Sequence, residues 1–454
     1  MQLKVYPGSS IKGHTGVSSA LEIPGDKSLS HRAALLASLA RGESIIRNFQ
    51  VSGVTRVMLE ALTQLGVNWE LDRKVLRING NGFEGLKNPD RSIYCGNSAT
   101  TLRMLAGALA AGGVCATLDG SEGLRRRPMG RIIAPLQSMG VPIRSTRDGT
   151  APLVLDERAS SRPLAGVQHT LPVASAQVKS CILIAALAAD GITTVIEPGP
   201  SRDHTERMLS SMGVQIDSRR VILESGRTAY QTRVTPPESM YLIPRGEVTL
   251  PADISAAAFI IIAALITPQA DLTLEGVGVN PTRTGLLDAL HNMGADLSVD
   301  DITNAGGEPV GRITVKASEL TGTEIYGDQV VRMIDEFPVF AAAAATANGT
   351  TVVRDAVELR HKESDRISLL CAEMQKLGVR IEERVDGFVI HGGNPIRGGC
   401  VESHGDHRLA MALAVLGLAA EEPVIIKGAD VVAESFPNFQ LLLQSLGANI
   451  KVEQ

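Results

Sequence analysis

One short phrase occurs six times in this chain, and that repeat limits what it can fold into more than any single motif. The copies are LTQLGVNW, LQSMGVPI, LSSMGVQI, LHNMGADL, MQKLGVRI and LQSLGANI, with glycines at Gly66, Gly140, Gly213, Gly294, Gly378 and Gly447. Each has Leu or Met four positions before the glycine and again just before it, then Val or Ala, any residue, and a large apolar residue. That pattern predicts a helix end, a glycine in the left-handed region beyond it, and the start of a strand. Spacings of 69 to 84 residues are too long for a solenoid rung and fit a complete folding unit.

Between these copies an alanine-rich helix followed by a strand also recurs, beginning near Ala34, Leu105, Leu183, Ile261, Ala341 and Met411. Small side chains allow close helix packing, so these helices are expected inside the protein rather than on its surface. Length alone would allow about three domains; six repeats argue for two domains of three units. The crossover points are Pro24-Gly25 and the stretch from Pro244 to Pro251. The expected division is 1–23 with 248–454 as a discontinuous first domain and 24–247 as the second.

With 44 basic and 49 acidic residues, and only 3% aromatics, the chain has neither the positive field nor the stacking surface of a nucleic-acid binder. The apolar run from Ile254 to Thr267 is too short to span a bilayer, and MQLKVYPGSS does not read as a signal peptide. Cys95, Cys115, Cys181, Cys371 and Cys400 are scattered with no CxxC, which predicts core thiols in a reducing compartment and no zinc site. A cytoplasmic, monomeric enzyme is expected.

Its chemistry should lie at helix N-termini, whose unpaired N–H groups attract anions. Polar and charged residues collect there at matching points of the repeats: PGDKSLSHR, YCGNSATTLR, PVASAQVKS, PADISAAA, MIDEFP and HGDHRLAM before the alanine-rich helices, and LRRRPMGR, SRDHTERM, NPTRTG and LRHKESDR before the others. Their natural meeting place is a cleft between the domains. Lys27-Ser28 opens a helix after a Pro-Gly turn, without the glycines of a P-loop, and Arg32 follows one turn on. Arg125, Arg126 and Arg127 fit a solvated face, although Arg127 gains weight from its place at a helix start. Asp335-Glu336, Lys362 to Arg366, and Asp406-His407-Arg408 put acids beside bases. Such clusters serve as structural ion pairs or as proton donors and acceptors on anionic substrates.

Taken together in this order, the motifs resemble the enolpyruvyl transferases, and most closely the 5-enolpyruvylshikimate-3-phosphate synthases, over nearly the whole chain. ASAQVKS, SRDHTE and NPTRTG look more like the inhibitor-tolerant bacterial subgroup. The resemblance implies an α/β (α+β) fold: two inside-out α/β barrels of three βαβαββ units each, with the active site between them. It implies transfer of the enolpyruvyl group of phosphoenolpyruvate to the 5-hydroxyl of shikimate 3-phosphate by addition and elimination. Its catalytic residues would be Lys27 as proton shuttle, Asp335 as base and Glu363 as acid. Shikimate 3-phosphate would contact Lys27, Ser28, Arg32, Ser175, Ala176, Gln177, Arg202, Asp335 and Lys362. Phosphoenolpyruvate would contact Lys27, Asn97, Ala99, Thr100, Arg127, Gln177, Arg366 and Arg408. Neither cofactor nor metal is implied, since arginines and lysines supply the positive field.

Two positions depart from the inhibitor-sensitive pattern. Ala99 stands where that subgroup has glycine, which predicts glyphosate tolerance, and Glu434 stands where it has lysine. Two rival readings remain. The UDP-N-acetylglucosamine enolpyruvyl transferases share the fold, but usually carry a cysteine in the loop that here reads GSEGLRRRP. A non-catalytic anion-binding protein on this fold would be expected to lose Asp335 and Glu363, both of which are present.

Overall fold

The computed structural model describes residues 1–15, 22–158, 163–238 and 242–453. The chain forms two compact units: Met1–Pro24 with Pro251–Asn304 and Pro309–Gln454, and Gly25–Leu250 with Ala305–Glu308. Among the described residues each contains three four-stranded sheets. In the repeat that begins at Ile93–Tyr94, that strand pairs parallel with Ala116–Asp119, which pairs antiparallel with Thr150–Leu155, and Ile143–Arg147 closes the outer edge. A helix follows each of the first two strands, giving the βαβαββ order. No ladder among the described residues joins one sheet to the next, so the barrel implied by resemblance is three separate sheets per unit rather than one closed sheet.

Three sheets are completed from far along the chain. Gly246–Thr249 pairs parallel with Arg41–Arg47. Lys12–Thr15 pairs parallel with Asp271–Gly278. Gln2–Val5 lies between Val424–Lys427 and Ile450–Glu453, antiparallel to both.

All six repeat glycines take positive φ, from 81° at Gly378 to 106° at Gly447. In each copy the residue after the glycine donates its N–H to the carbonyl five residues back, as Val67 does to Leu62 at 3.0 Å and Ala448 to Leu443 at 2.9 Å. This is the Schellman closure, in which the last helical carbonyls find donors and the apolar residues around the glycine turn inward. Leu62, Leu136, Leu209, Leu290, Met374 and Leu443, which accept these bonds, are all buried.

The alanine-rich helices are buried on every side. Ile254–Ile266 exposes only its last residue, and Phe337–Thr346 is covered along nearly its whole length. Each large apolar side chain so buried contributes about 1.5–3 kcal/mol. Close approach sets the spacing of helices Ala99–Gly112 and Ala176–Ala185: a Cβ at Gly107 would lie 2.3 Å from the Cys181 carbonyl oxygen. Cys95, Cys181 and Cys371 are core thiols. Cys115 is half-buried, and Cys400, on the edge strand Gly399–Glu402, is exposed, contrary to the expectation for all five. No described helix is long and apolar enough to cross a membrane.

Candidate active site

In the second unit, four helix starts are tied together by side chains. Asp26 caps helix Lys27–Leu39 by accepting from Leu29 N–H at 2.8 Å, leaving Lys27 and Ser28 half-buried in the first turn. The His31 Nδ1 lies 2.8 Å from the Lys27 carbonyl, and Nε2 lies 3.4 Å from Ser98 Oγ. Burial lowers His31 to a pKa of about 4, with the Lys27 and Arg32 charges adding to the effect against the bond to the Lys27 carbonyl. The neutral ring therefore donates through Nδ1, because a carbonyl only accepts, and Nε2 accepts the Ser98 hydroxyl. Ser98 also caps helix Ala99–Gly112, accepting from Thr101 N–H at 3.1 Å. One neutral histidine thus links the Lys27 turn to the turn that carries Asn97, Ala99 and Thr100.

Arg32 lies beneath that surface, 2% exposed. Nε donates to Thr205 Oγ1 at 2.8 Å, one terminal nitrogen to the Ser28 carbonyl at 3.0 Å, and the other to Ser180 Oγ at 2.9 Å. Arg202 reaches Ser28 Oγ at 3.4 Å. Ser175 is the N-cap residue of helix Ala176–Ala185. Gln177, in the first turn, donates to Thr100 Oγ1 at 2.8 Å and accepts from Arg103 at 2.6 Å. Arg103 also donates to the Pro128 carbonyl at 2.9 Å. It stood in the quoted GNSATTLR motif, but nothing in the sequence showed that it would brace Gln177.

The arginine run divides into unlike parts. Arg125 ends the short helix Glu122–Arg125 and pairs with Asp119 at 2.5 Å and Glu122 at 3.0 Å. Arg126 is exposed. Arg127 is half-buried in the turn before helix Gly130–Ser138, so it precedes a helix rather than starting one.

The first unit gathers a dense charge cluster. The Asp335 carboxylate, 18% exposed, lies 3.7 Å from Lys362 Nζ, 3.5 Å from Arg366 and 3.8 Å from Arg408. Arg408 also donates to the Asp335 carbonyl at 3.0 Å. Arg366, in the first turn of helix Arg366–Lys376 and fully buried, pairs with Asp406 at 2.8 Å and Glu363 at 2.7 Å. Burial alone would lower the Arg366 pKa, but the surrounding carboxylates outweigh it and raise it, so the group stays charged. The Arg366 terminal nitrogen facing Asp335 finds no hydrogen-bond acceptor among the described residues. That nitrogen keeps its 3.5 Å ion pair with Asp335, and a water or a ligand can complete its hydrogen bonding.

Behind Asp335 lies a network that the sequence did not reveal. Arg283 donates to Asp253 at 3.1 Å and to Ser255 Oγ at 2.7 Å. Ser255 Oγ in turn donates to Glu336, the residue next to Asp335. The PADIS and NPTRTG motifs are thus buried bracing for the turn that presents Asp335. Glu434 lies 3.9 Å from His407.

Cationic side chains beside paired carboxylates, on helix starts of a two-unit α/β fold, suit an enzyme of small anionic substrates. The EPSP synthase (3-phosphoshikimate 1-carboxyvinyltransferase) family profile matches residues 11–443. A 3-phosphoshikimate 1-carboxyvinyltransferase of Desulforudis audaxviator is 46% identical over 448 residues, covering 98% of this chain and 99% of its own. One from Coxiella burnetii is 44% identical over 96% of both chains. The structure of EPSP synthase from Acinetobacter baumannii superposes over the whole of both chains with a TM-score of 0.85 at 40% identity. This chain belongs to the EPSP synthase family.

Proposed function

We propose that this chain transfers the enolpyruvyl group of phosphoenolpyruvate to the 5-hydroxyl of shikimate 3-phosphate, releasing inorganic phosphate. The observation that carries this reading is the Asp335 cluster: a carboxylate with three cations within 4 Å, one of them a buried arginine. Such a cluster suits both a general base for a sugar hydroxyl and a clamp for a phosphorylated carboxylate.

In this reading the 5-hydroxyl oxygen attacks C2 of phosphoenolpyruvate and gives its proton to Asp335. C3 takes a proton from Glu363 and becomes a methyl group. The tetrahedral adduct then loses a proton from that methyl and expels phosphate, restoring the enol double bond. Lys362 and Asp335 hold the sugar hydroxyls. Arg366, Arg408 and Arg127 clamp the carboxylate and phosphate of phosphoenolpyruvate, and Asn97, Ala99 and Thr100 also contact it. Lys27, Ser28, Arg32, Ser175, Ala176, Gln177 and Arg202 take shikimate 3-phosphate, with Lys27 and Gln177 also contacting phosphoenolpyruvate and Lys27 shuttling protons.

Phosphate release from phosphoenolpyruvate tests the reading, with shikimate 3-phosphate in one tube and UDP-N-acetylglucosamine in another. Release only in the first is expected. Release only in the second, or in neither with folded protein, overturns it.

Ala99 is buried in the first turn of its helix. A methyl there crowds glyphosate, which is longer than phosphoenolpyruvate. Ala99→Gly is expected to tighten glyphosate inhibition roughly 10- to 200-fold, the range for one methyl-sized contact in a pocket. Its stability cost is up to about 1 kcal/mol. An unchanged inhibition constant would remove Ala99 as the determinant.

A further inference from the structure

Lys179 joins the two segments that carry Ser175 and Arg202. It lies one turn into helix Ala176–Ala185, and its N–H donates to the Ser175 carbonyl at 2.9 Å. The Lys179 Nζ lies 2.6 Å from Glu197, 2.8 Å from Glu206 and 3.3 Å from the Ser201 carbonyl. Ser201 Oγ donates to the same Glu197 oxygen at 2.9 Å. Glu197 ends strand Thr193–Glu197, and Glu206 lies in the first turn of helix His204–Ser211. One ammonium therefore holds both ends of the connection between strand and helix, and its middle at Ser201, next to Arg202. Ser180, the next residue on the same helix, reaches Thr205 Oγ1 at 2.7 Å.

Stability is a poor explanation for this cluster. Lys179, Glu197 and Glu206 are all buried. Removing such groups from water costs several kcal/mol per ion, and apolar replacements of similar volume are often as stable or more so. Burial alone would lower Lys179, but the two carboxylates outweigh it and raise it; Glu206 is pushed up by burial against the pull of Lys179. What the cluster supplies is direction: two acceptors, Glu197 and the Ser201 carbonyl, and the paired Glu206 carboxylate hold a backbone connection to one ammonium at three points.

We propose that Lys179 is a positioning residue, holding the Ser201–Arg202 segment in register with Ser175 so that one phosphate monoester engages both. This rests on the proposed reading, in which Ser175 and Arg202 hold the 3-phosphate. The reaction centre is not touched, so the effect should fall on one substrate.

The test is steady-state phosphate release by Lys179→Met and Ser201→Ala, with calorimetric binding of shikimate 3-phosphate alone and melting curves to show folding. Lys179→Met is expected to raise KM for shikimate 3-phosphate about tenfold or more, leaving kcat and KM for phosphoenolpyruvate within about twofold, the signature of lost uniform binding. Ser201→Ala, which removes only the hydroxyl, is expected to move the same constant in the same direction by a smaller factor. Equal rises in both KM values, or unchanged shikimate 3-phosphate binding, overturn the inference. If Lys179→Met does not fold, Ser201→Ala decides alone, and an unchanged KM overturns the proposal. A wild type that binds shikimate 3-phosphate without turnover defeats the functional reading, and the calorimetric comparison then decides the role of Lys179. A wild type that does not bind it defeats both.

Discussion

With Asp335 as the proposed base, Asp335→Asn is expected to lower kcat by about 10²- to 10⁴-fold, the usual contribution of a positioned proton acceptor. The amide keeps the shape of the carboxylate and its ability to bond a sugar hydroxyl, but it cannot take the proton of the attacking oxygen. Binding should move in the other direction. Asp335 lies within 4 Å of Lys362, Arg366 and Arg408, and removing its charge leaves those three cations less neutralised. KM for phosphoenolpyruvate, a multiply charged anion, should therefore hold or fall while kcat collapses. The measurement is initial-rate phosphate release over both substrates, with melting curves to show that the variant is folded. A kcat within tenfold of wild type would exclude Asp335 as the base. A collapse in both kcat and phosphoenolpyruvate affinity would instead point to disruption of the cluster as a whole.

Several features of this fold were legible because their causes are local. Gly66 and its five counterparts terminate helices by bonds that span six residues, so the sequence phrase contains the entire device. The starts of helices Lys27–Leu39, Ala99–Gly112 and His407–Gly417 were legible for the same reason: Asp26, Ser98 and Asp406 cap amides two or three residues away. What the sequence concealed depends on long-range pairing. Nothing near Gly246–Thr249 shows that its partner is Arg41–Arg47, some two hundred residues earlier. Asp406 and Arg366, forty residues apart, each read equally well as a surface ion-pair member and as an active-site group. The structure makes that pair a buried support, with Arg366 turning one nitrogen toward Asp335. Arg103 and Arg283 were hidden similarly, since an arginine inside a motif gives no sign whether it faces a ligand or braces the residues that do. Short polar segments announced that helix starts matter; only packing separates the groups at the surface of the site from those beneath it.

That separation has a stability consequence, largest at Asp406. Its carboxylate is fully buried, pairs with Arg366 at 2.8 Å, accepts from Ser364 Oγ at 2.9 Å, and caps its helix through Arg408 N–H at 2.9 Å. Asp406→Ala leaves the Arg366 guanidinium buried without its main counter-charge, a defect expected to cost about 3–5 kcal/mol. The lost cap would add about 0.5–2 kcal/mol if independent, but the two share one carboxylate and should not simply sum. Against a total stability of about 5–15 kcal/mol, this leaves the unit marginal. Burial alone would push Asp406 up; the Arg366 charge and its hydrogen bond, with His407, outweigh that and hold it below the usual aspartate range. A depressed folded value means that the stabilisation is fully present above the unfolded value of about 3.9 and is lost as pH falls through the folded one. Urea unfolding followed by far-UV circular dichroism should therefore show the Asp406→Ala deficit in full at neutral pH and a shrinking difference from wild type below about pH 4. Trp69, the single tryptophan, lies in the other unit, so its fluorescence follows that unit separately. A deficit under about 1 kcal/mol, the scale of an exposed ion pair, would mean that water reaches Arg366 once Asp406 is gone. Water would then also complete the buried nitrogen facing Asp335, and no substrate anion would be needed there.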